Sequence, residues 1–448
     1  MADGKTHLPV TGLYVVLILS WWPVALAENW PQWRGPAFNG SSPEADLPTT
    51  FGPAENLAWR TPLPGPGSAT PVVWGDAVFV SAVDTSVSPG KLVGLCLDAR
   101  TGAVRWRREL GPDRRAQRNT MASPSPATDG QRVVFTYGTG LLVAFDLAGT
   151  ELWRRELEKE YGHNALMFGY SSTPLLYAGR LCVQAIRNAR PERYGGAPGG
   201  SAESYLLAID PATGRDAWKV TRPTDAREES QEAYTTPVPY AVDGRQEVLV
   251  LGADCLTGHA LADGREVWRW TGYNPRRINH WRVVASPVVA SGLAMVSGPK
   301  HSRLFAVRPG PVERGGDEAV RWSSDKAVGD ASSPLLYRDR LYVLDDDRRT
   351  MVCLVPGTGE VKWELKLEGS PVFRASPLGA DGRIFCMDEA AEVTVLAAED
   401  TAKVLHRVQL GQGRDCRSSL VAANRRLYAR TPTALFCFAT PDVSGAAR

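Results

Sequence analysis

ATPVVWGDAVFVSAV (residues 69–83), continued by LVGLCLDARTGAVRWRREL (92–110), is one complete copy of a repeating unit. It begins with a small residue, any residue and Pro. Two apolar residues, a Gly/Asp turn and an alternating apolar run follow. A second apolar run ends in Asp-x-x-Thr-Gly and leads into a segment carrying Trp. Period-two alternation of β-branched and aromatic residues predicts strands. Asp caps the turns and Gly supplies positive φ, while Thr-Gly joins two short strands in a tight hairpin. The unit therefore reads as a small four-stranded antiparallel sheet. Further copies are SSPLLYRDRLYVLDDDRRTMVCLVPGTGEVKWELKL (332–367), LLVAFDLAGTELWRREL (141–157) and YLLAIDPATGRDAWKV (205–220).

Two markers count the copies. The late-strand Trp are Trp59, Trp106, Trp153, Trp218, Trp268, Trp322 and Trp363, spaced 41 to 65 residues apart, and Leu405 takes the Trp place in an eighth copy. The early marker falls near Pro71, Pro124, Pro174, Pro237, Pro287, Pro334 and Pro377, and once more, degraded, at Ser418. Trp59 precedes the first Pro marker, and the last unit has no Trp strand of its own. The chain thus starts with an outer strand and ends with three inner ones, which together complete one blade. The prediction is an all-β, eight-bladed β-propeller of four-stranded antiparallel blades, closed by N- and C-terminal strands in one blade. The strand holding Trp59 should pair with the segment near Leu427–Tyr428 or with its neighbour near Phe436. No blade can bury both faces alone, so blades stack, and the Trp fill the wedges between them.

The 448 residues carry a formal net charge of +2, too little to steer the protein to nucleic acid or acidic membranes. Lys5 and His7 precede an apolar stretch at 8–26, and Ala25-Leu26-Ala27 fits the small-x-small rule for cleavage before Glu28. Residues 1–27 are expected to be a signal peptide, with an uncleaved anchor as the rival, and the mature protein to be periplasmic or secreted. No later stretch has a spanning length of apolar residues. The expected organisation is an extended segment at 28–54, the propeller at 55–440 and a tail at 441–448. The seven Cys are scattered, with no metal or haem spacing. Cys96, Cys353 and Cys437 occupy matching places in different repeats, so buried free thiols are expected.

LCLDARTGAVRW (95–106), LAIDPATGRDAW (207–218) and VCLVPGTGEVKW (352–363) resemble the motif of the pyrroloquinoline-quinone (PQQ) repeat propellers. NWPQWRGPAFNGSS (29–42) resembles the start of exported PQQ-like proteins. The resemblance implies the propeller fold and leaves function among several branches: quinoprotein alcohol and sugar dehydrogenases, the outer-membrane assembly factor BamB, and exported propellers without defined roles. The alcohol dehydrogenases carry an adjacent Cys-Cys pair, PQQ and Ca²⁺; no Cys-Cys exists here. The assembly lipoprotein carries a Cys near its cleavage site; the first Cys here is Cys96.

Segments just before the small-x-Pro strands start at one face of the ring. They bring Arg118, Asn119, Tyr170, Tyr234, His280, Trp281, Arg282, Arg374 and Arg417 to one rim as candidate ligand-binding residues. His163, Asn164, Glu232, Asn279, Asp330 and Asp415 accompany them. Convergent polar and aromatic groups describe a small-molecule or peptide pocket, and Arg suits planar carboxylates. Glu232, Asp330 and Asp415 neutralise only part of the Arg charge, which points to a small anionic ligand or an acidic protein partner. The expectation is a monomeric, non-enzymatic scaffold or binding protein without catalytic residues, metal or bound cofactor. The alternative is a PQQ- and Ca²⁺-dependent alcohol or sugar oxidoreductase. Asp345 to Asp347 are acidic but lack EF-hand spacing. Gly/Pro-rich insertions at 187–204 and 308–319 offer a second surface.

Overall fold

The computed structural model describes Met1 and residues 29–114, 118–199, 203–242, 244–310, 316–369, 372–411 and 413–441. Residues 2–27 of the expected signal peptide therefore lie outside the described residues, as does the expected tail beyond Pro441. Eight four-stranded sheets are present, all with antiparallel neighbours. Blade 1 runs outward through Val72–Trp74, Ala77–Asp84, Lys91–Asp98 and Val104–Pro112. Blades 2 to 7 repeat that order. Blade 8 takes Val421–Ala423, Arg426–Arg430 and Ala434–Phe438 from the C-terminal end and its outer strand, Leu57–Pro62, from near the N-terminus. Trp59 sits opposite Cys437 and Arg60 opposite Phe436, the second of the two pairings expected. One marker shifts. The inner strand of blade 2 is Ala127–Thr128, so its Pro is Pro126 and not Pro124. ASPSPAT offers two prolines, each after a serine, but only Pro126 directly precedes the strand, as in the other units.

The Trp repeat works as a joint between blades. The Trp59 indole donates to the carbonyl of Ala99 in blade 1 (3.0 Å), at the foot of the Asp-x-x-Thr-Gly turn. Gly102 in that turn has φ +72°, and a Cβ there would lie 2.6 Å from the Trp59 ring. Glycine is thus required for both conformation and close approach. Trp106, Trp153, Trp218, Trp322 and Trp363 donate likewise to Leu147, Pro211, Leu261, Pro356 and Glu399 of the following blade. Trp268 differs: it donates to Glu247 within its own blade (2.8 Å). Blade 5 has the 308–319 insertion where the turn would be, so the usual acceptor is missing. Blade 7 has Leu405 because the next blade has no third-to-fourth turn at all; its fourth strand arrives from the N-terminal side. Phe51 fills that gap, with ring centroids 5.0 Å from Phe438 and 5.5 Å from His406. The apolar clusters straddle neighbouring blades; one joins Val72, Phe79 and Trp106 to Val133, Phe135 and Phe145. All seven Cys are free and buried. Burial pushes the thiols of Cys96, Cys182 and Cys386 up to about 12.

The residue before each inner-strand Pro, with Ser419 before Leu420 in blade 8, closes a second ring. The amide of Thr70 donates to Ser125 Oγ (2.9 Å), Ser125 to Thr173 Oγ1 (3.0 Å), Thr173 to Thr236 Oγ1 (3.2 Å) and Thr236 to Ser286 Oγ (2.8 Å). The circle continues through Ser333 (2.9 Å), Ser376 (3.0 Å) and Ser419 (3.2 Å), and Ser419 donates back to Thr70 Oγ1 (3.2 Å). Inner strands are too close to the axis to share a ladder, and these bonds satisfy their amides instead.

Below this girdle, residues 29–56 cross the channel. Trp30 pairs with Val73 of blade 1, Pro31 accepts from Thr128 of blade 2, and the Gln32 amide exchanges two bonds with Leu176 of blade 3. Arg34 donates to the carbonyls of Pro377 (2.9 Å), Asn39 (2.9 Å) and Pro334. Ser42 and Glu44 then bind the inner strands of blades 7 and 8. The extended segment is thus a plug at the end where inner strands finish.

Candidate functional site

Antiparallel order puts the segments before inner strands, and the second-to-third connections, at the opposite face. There the channel opens as a blind funnel with a cavity of about 440 Å³, within the range of small-molecule sites. Trp33 of the plug reaches its inner end, and Ser125, Thr173, Thr236, Ser333, Ser376 and Ser419 of the girdle line its waist. Of the nine candidate residues, Arg118, Asn119, Tyr234, Arg282, Arg374 and Arg417 line the cavity. Asp330 lines it too.

Tyr170, His280 and Trp281 fall outside that lining. Tyr170 is buried and donates its hydroxyl to the Gln184 carbonyl (2.8 Å), a packing role beside Tyr234. His280 is exposed, with Asn279 at 3.4 Å as its hydrogen-bond partner. The Trp281 amide is anchored to Ser230 (2.7 Å), which keeps this turn off the axis. His163 bonds the Tyr194 carbonyl (2.9 Å) under the 187–204 insertion. Glu232 is a buried hub, accepting from Met167, Asn188, Tyr194 and Tyr234. Burial, helped by the Glu232 charge, raises the Tyr234 phenol well above its ordinary value and keeps it neutral.

The guanidiniums are better neutralised than Glu232, Asp330 and Asp415 alone would allow. Arg282 meets Glu229 (2.9 Å) and Asp330 (3.6 Å); Arg374 meets Asp346 (2.6 Å) and Asp347 (2.8 Å); Arg417 meets Glu389 (2.8 Å) and Asp415 (3.0 Å). Arg118 is exposed and has no carboxylate partner among the described residues. The Arg118 and Arg282 guanidiniums lie 5.5 and 5.0 Å from the Phe168 ring centre, within cation–π range. Sequence reasoning missed Trp33, Phe168 and Glu389, and noted Asp346 and Asp347 only as an acidic run, not as partners of the mouth arginines. Three of these five stand in second-to-third connections, where acidic runs such as DDD and MDEAAE were the signal available.

His301, Asp345 and Asp346 can each bring one donor atom within 4.8 Å of the others. Both Asp346 oxygens are already committed: one accepts the Asp330 amide, the other the Ala331 amide and Arg374. Asp345 accepts the Arg348 amide (2.9 Å). Burial raises the Asp346 carboxyl despite these donors. In Asp347 burial also pushes upward, but the His301 hydrogen bond and the Arg374 charge outweigh it and leave the group lowered. The same commitment applies inside the funnel. Asp330 accepts the Lys300 amide (2.8 Å) and Glu389 accepts Arg417. A calcium ion beside PQQ would compete with these donors, and among the described residues the one cluster at metal-ligand spacing, His301, Asp345 and Asp346, lies outside the cavity lining, so the residues present do not fit that ion.

Comparison with known proteins agrees with the fold. A polyvinylalcohol dehydrogenase of Pseudomonas sp is 23% identical over 202 residues, 43% of this chain and only 29% of that protein. BamB from Moraxella catarrhalis superposes with a TM-score of 0.57 at 15% identity, over 86% of this chain and 99% of that one. Quinohemoprotein alcohol dehydrogenase from Comamonas testosteroni gives 0.63 at 14% identity, over 94% and 81%. At these identities the structures share the fold alone. The model of one family matches residues 54–189, 90–310 and 312–435, which spans the ring from the closing strand to blade 8, and the chain belongs to that family, described as outer membrane protein assembly factor BamB.

Proposed function

We propose that this chain is an exported, non-enzymatic binding propeller whose blind funnel receives a small ligand, or a polar side chain of a protein partner. The observation that carries this reading is the funnel itself. It is closed at one end by the plug, open at the other, and lined by six of the nine residues that the repeat pattern assigned to the mouth. The side chains at the mouth are held by ion pairs and by the girdle, so little ordering entropy is lost on binding. Crystals soaked with a diverse set of small polar fragments test it. Density should concentrate between Phe168, Arg374 and Arg417; hits scattered over the outer surface would remove the funnel from consideration.

The second reading, a PQQ-dependent oxidoreductase, is favoured by the similarity to the polyvinylalcohol dehydrogenase. The committed carboxylates count against it. Purified protein mixed with PQQ and Ca²⁺ is expected to oxidise neither alcohols nor sugars; turnover would establish the oxidoreductase.

A further inference from the structure

The charge at the funnel mouth is arranged as an alternation. From blade 5 to blade 8 the lining takes Arg282, Asp330, Arg374, Glu389 and Arg417, donor and acceptor in turn along the chain. Guanidinium offers only donors and carboxylate only acceptors. A ligand carboxylate meeting this rim would gain from the Arg and lose against Asp330 and Glu389, with little net attraction because each lining Arg but Arg118 already holds two carboxylates. A hydroxyl group is both donor and acceptor. Two neighbouring hydroxyls can accept from one guanidinium while donating to the adjacent carboxylate, which matches the alternation without a charge mismatch.

The waist repeats that chemistry. The girdle hydroxyls at Ser125, Thr173, Ser333, Ser376 and Ser419 are each 5% exposed or less, face the cavity, and accept an amide. None has an acceptor for its own proton among the described residues. These O–H groups are left to donate into the lumen, where only a ligand oxygen or water can satisfy them. The Phe168 ring, within reach of the Arg118 and Arg282 guanidiniums, also lines the mouth and adds apolar surface there.

We infer that the ligand is an uncharged polyhydroxylated molecule, a cyclic sugar or polyol, bound by alternating guanidinium and carboxylate at the rim with its oxygens directed at the hydroxyl girdle. This rests on the funnel being a binding site, and the soaking experiment tests that separately. The test here is titration calorimetry of the mature protein with myo-inositol, maltose, succinate and citrate, each in 0.05 and 0.5 M NaCl. One of the neutral probes is expected to bind with an affinity that salt changes less than about threefold, since uncharged ligands are not screened. Glu389→Gln should weaken it at least tenfold, and His280→Ala, outside the lining, less than threefold. If Glu389→Gln lowers the melting temperature, Phe168→Ala supplies the second site variant, also with at least tenfold loss. Binding of succinate or citrate that collapses in high salt and with Arg118→Ala, while both polyols fail, would overturn the inference and leave the funnel intact. Failure of every probe would overturn it as well, whatever fragments the funnel takes.

Discussion

At the plugged end of the channel, Arg34 is held by three carbonyl oxygens and no carboxylate; at the open end, Arg282, Arg374 and Arg417 each hold two carboxylates. The same inner strands support both. Arg34 is 4% exposed, and burial pulls its pKa down to about 9, still charged at neutral pH. Its acceptors are strand and loop carbonyls that cannot rotate away, so the bond set is permanent. The mouth pairs are mixed: Asp347 and Asp415 face solvent, where water or a ligand can replace them at small cost, whereas Asp346 is fully buried. A cation satisfied by backbone dipoles closes this channel, whereas cations that share a solvent-facing carboxylate, as Arg374 and Arg417 do, line its open end.

Removing what both ends share is the harshest way to break that contrast. Trp363→Ala should cost about 4 kcal/mol in urea unfolding through lost burial and a cavity, loosening both ends together. Leu405→Ala, at a joint whose partner turn does not exist, should cost under about 1 kcal/mol by the same measurement. Next comes the plug: Arg34→Ala leaves buried carbonyls without donors and should lower stability by about 3 kcal/mol, with faster proteolysis within 29–56 as the local readout.

Acid sharpens the comparison from the side of the wall. His259 in blade 4 is buried, bonded to Gly264 and Thr257, and burial lowers its pKa from 6.5 to about 4. The unfolded chain takes up a proton near 6.5 and the folded one only near 4. Stability is therefore lost as pH falls through that window, by up to about 3 kcal/mol. Between pH 7 and 4 the stability difference between wild type and His259→Gln should shift toward the variant by up to about 3 kcal/mol if this group is responsible; parallel curves would exclude it. The smallest effect belongs to the mouth. Arg417→Gln, whose partners Glu389 and Asp415 both reach solvent, should change stability by less than about 1 kcal/mol, and a larger loss in thermal unfolding would make the rim structural rather than exchangeable.

The blade count, the closure and the joints were legible because Trp59, Trp363 and the Asp-x-x-Thr-Gly turns repeat in sequence as they repeat in space. Even Leu405 carried information, although its cause lies in Phe51 and the split blade. The hydroxyl before each Pro was visible in TP and SP pairs, but a girdle exists only once eight units face one axis. The site was half legible. Arg374 and Arg417 were found because they precede inner strands. Glu389 and Asp346 were not, because they enter from second-to-third connections that the reading did not follow. Trp33 and Arg34 belong to a segment outside the repeat, so periodicity says nothing of where they go. His280 and Trp281 precede an inner strand as Arg282 does, yet the Ser230 anchor turns them outward, a tertiary contact no spacing reveals.

The plug has a temporal consequence. A chain made from its N-terminus produces Arg34 first, but the carbonyls it needs belong to Pro334 and Pro377, and Glu44 waits for Asn424 and Arg425. Trp59 likewise has no sheet to join until Phe436 and Cys437 exist. Blades 1 to 7 can form in order during synthesis, yet the ring stays an open arc and its earliest residues stay unhoused until the last strand arrives. Completion is a single late event, in which the two ends of the chain fasten the closing blade and the channel floor together.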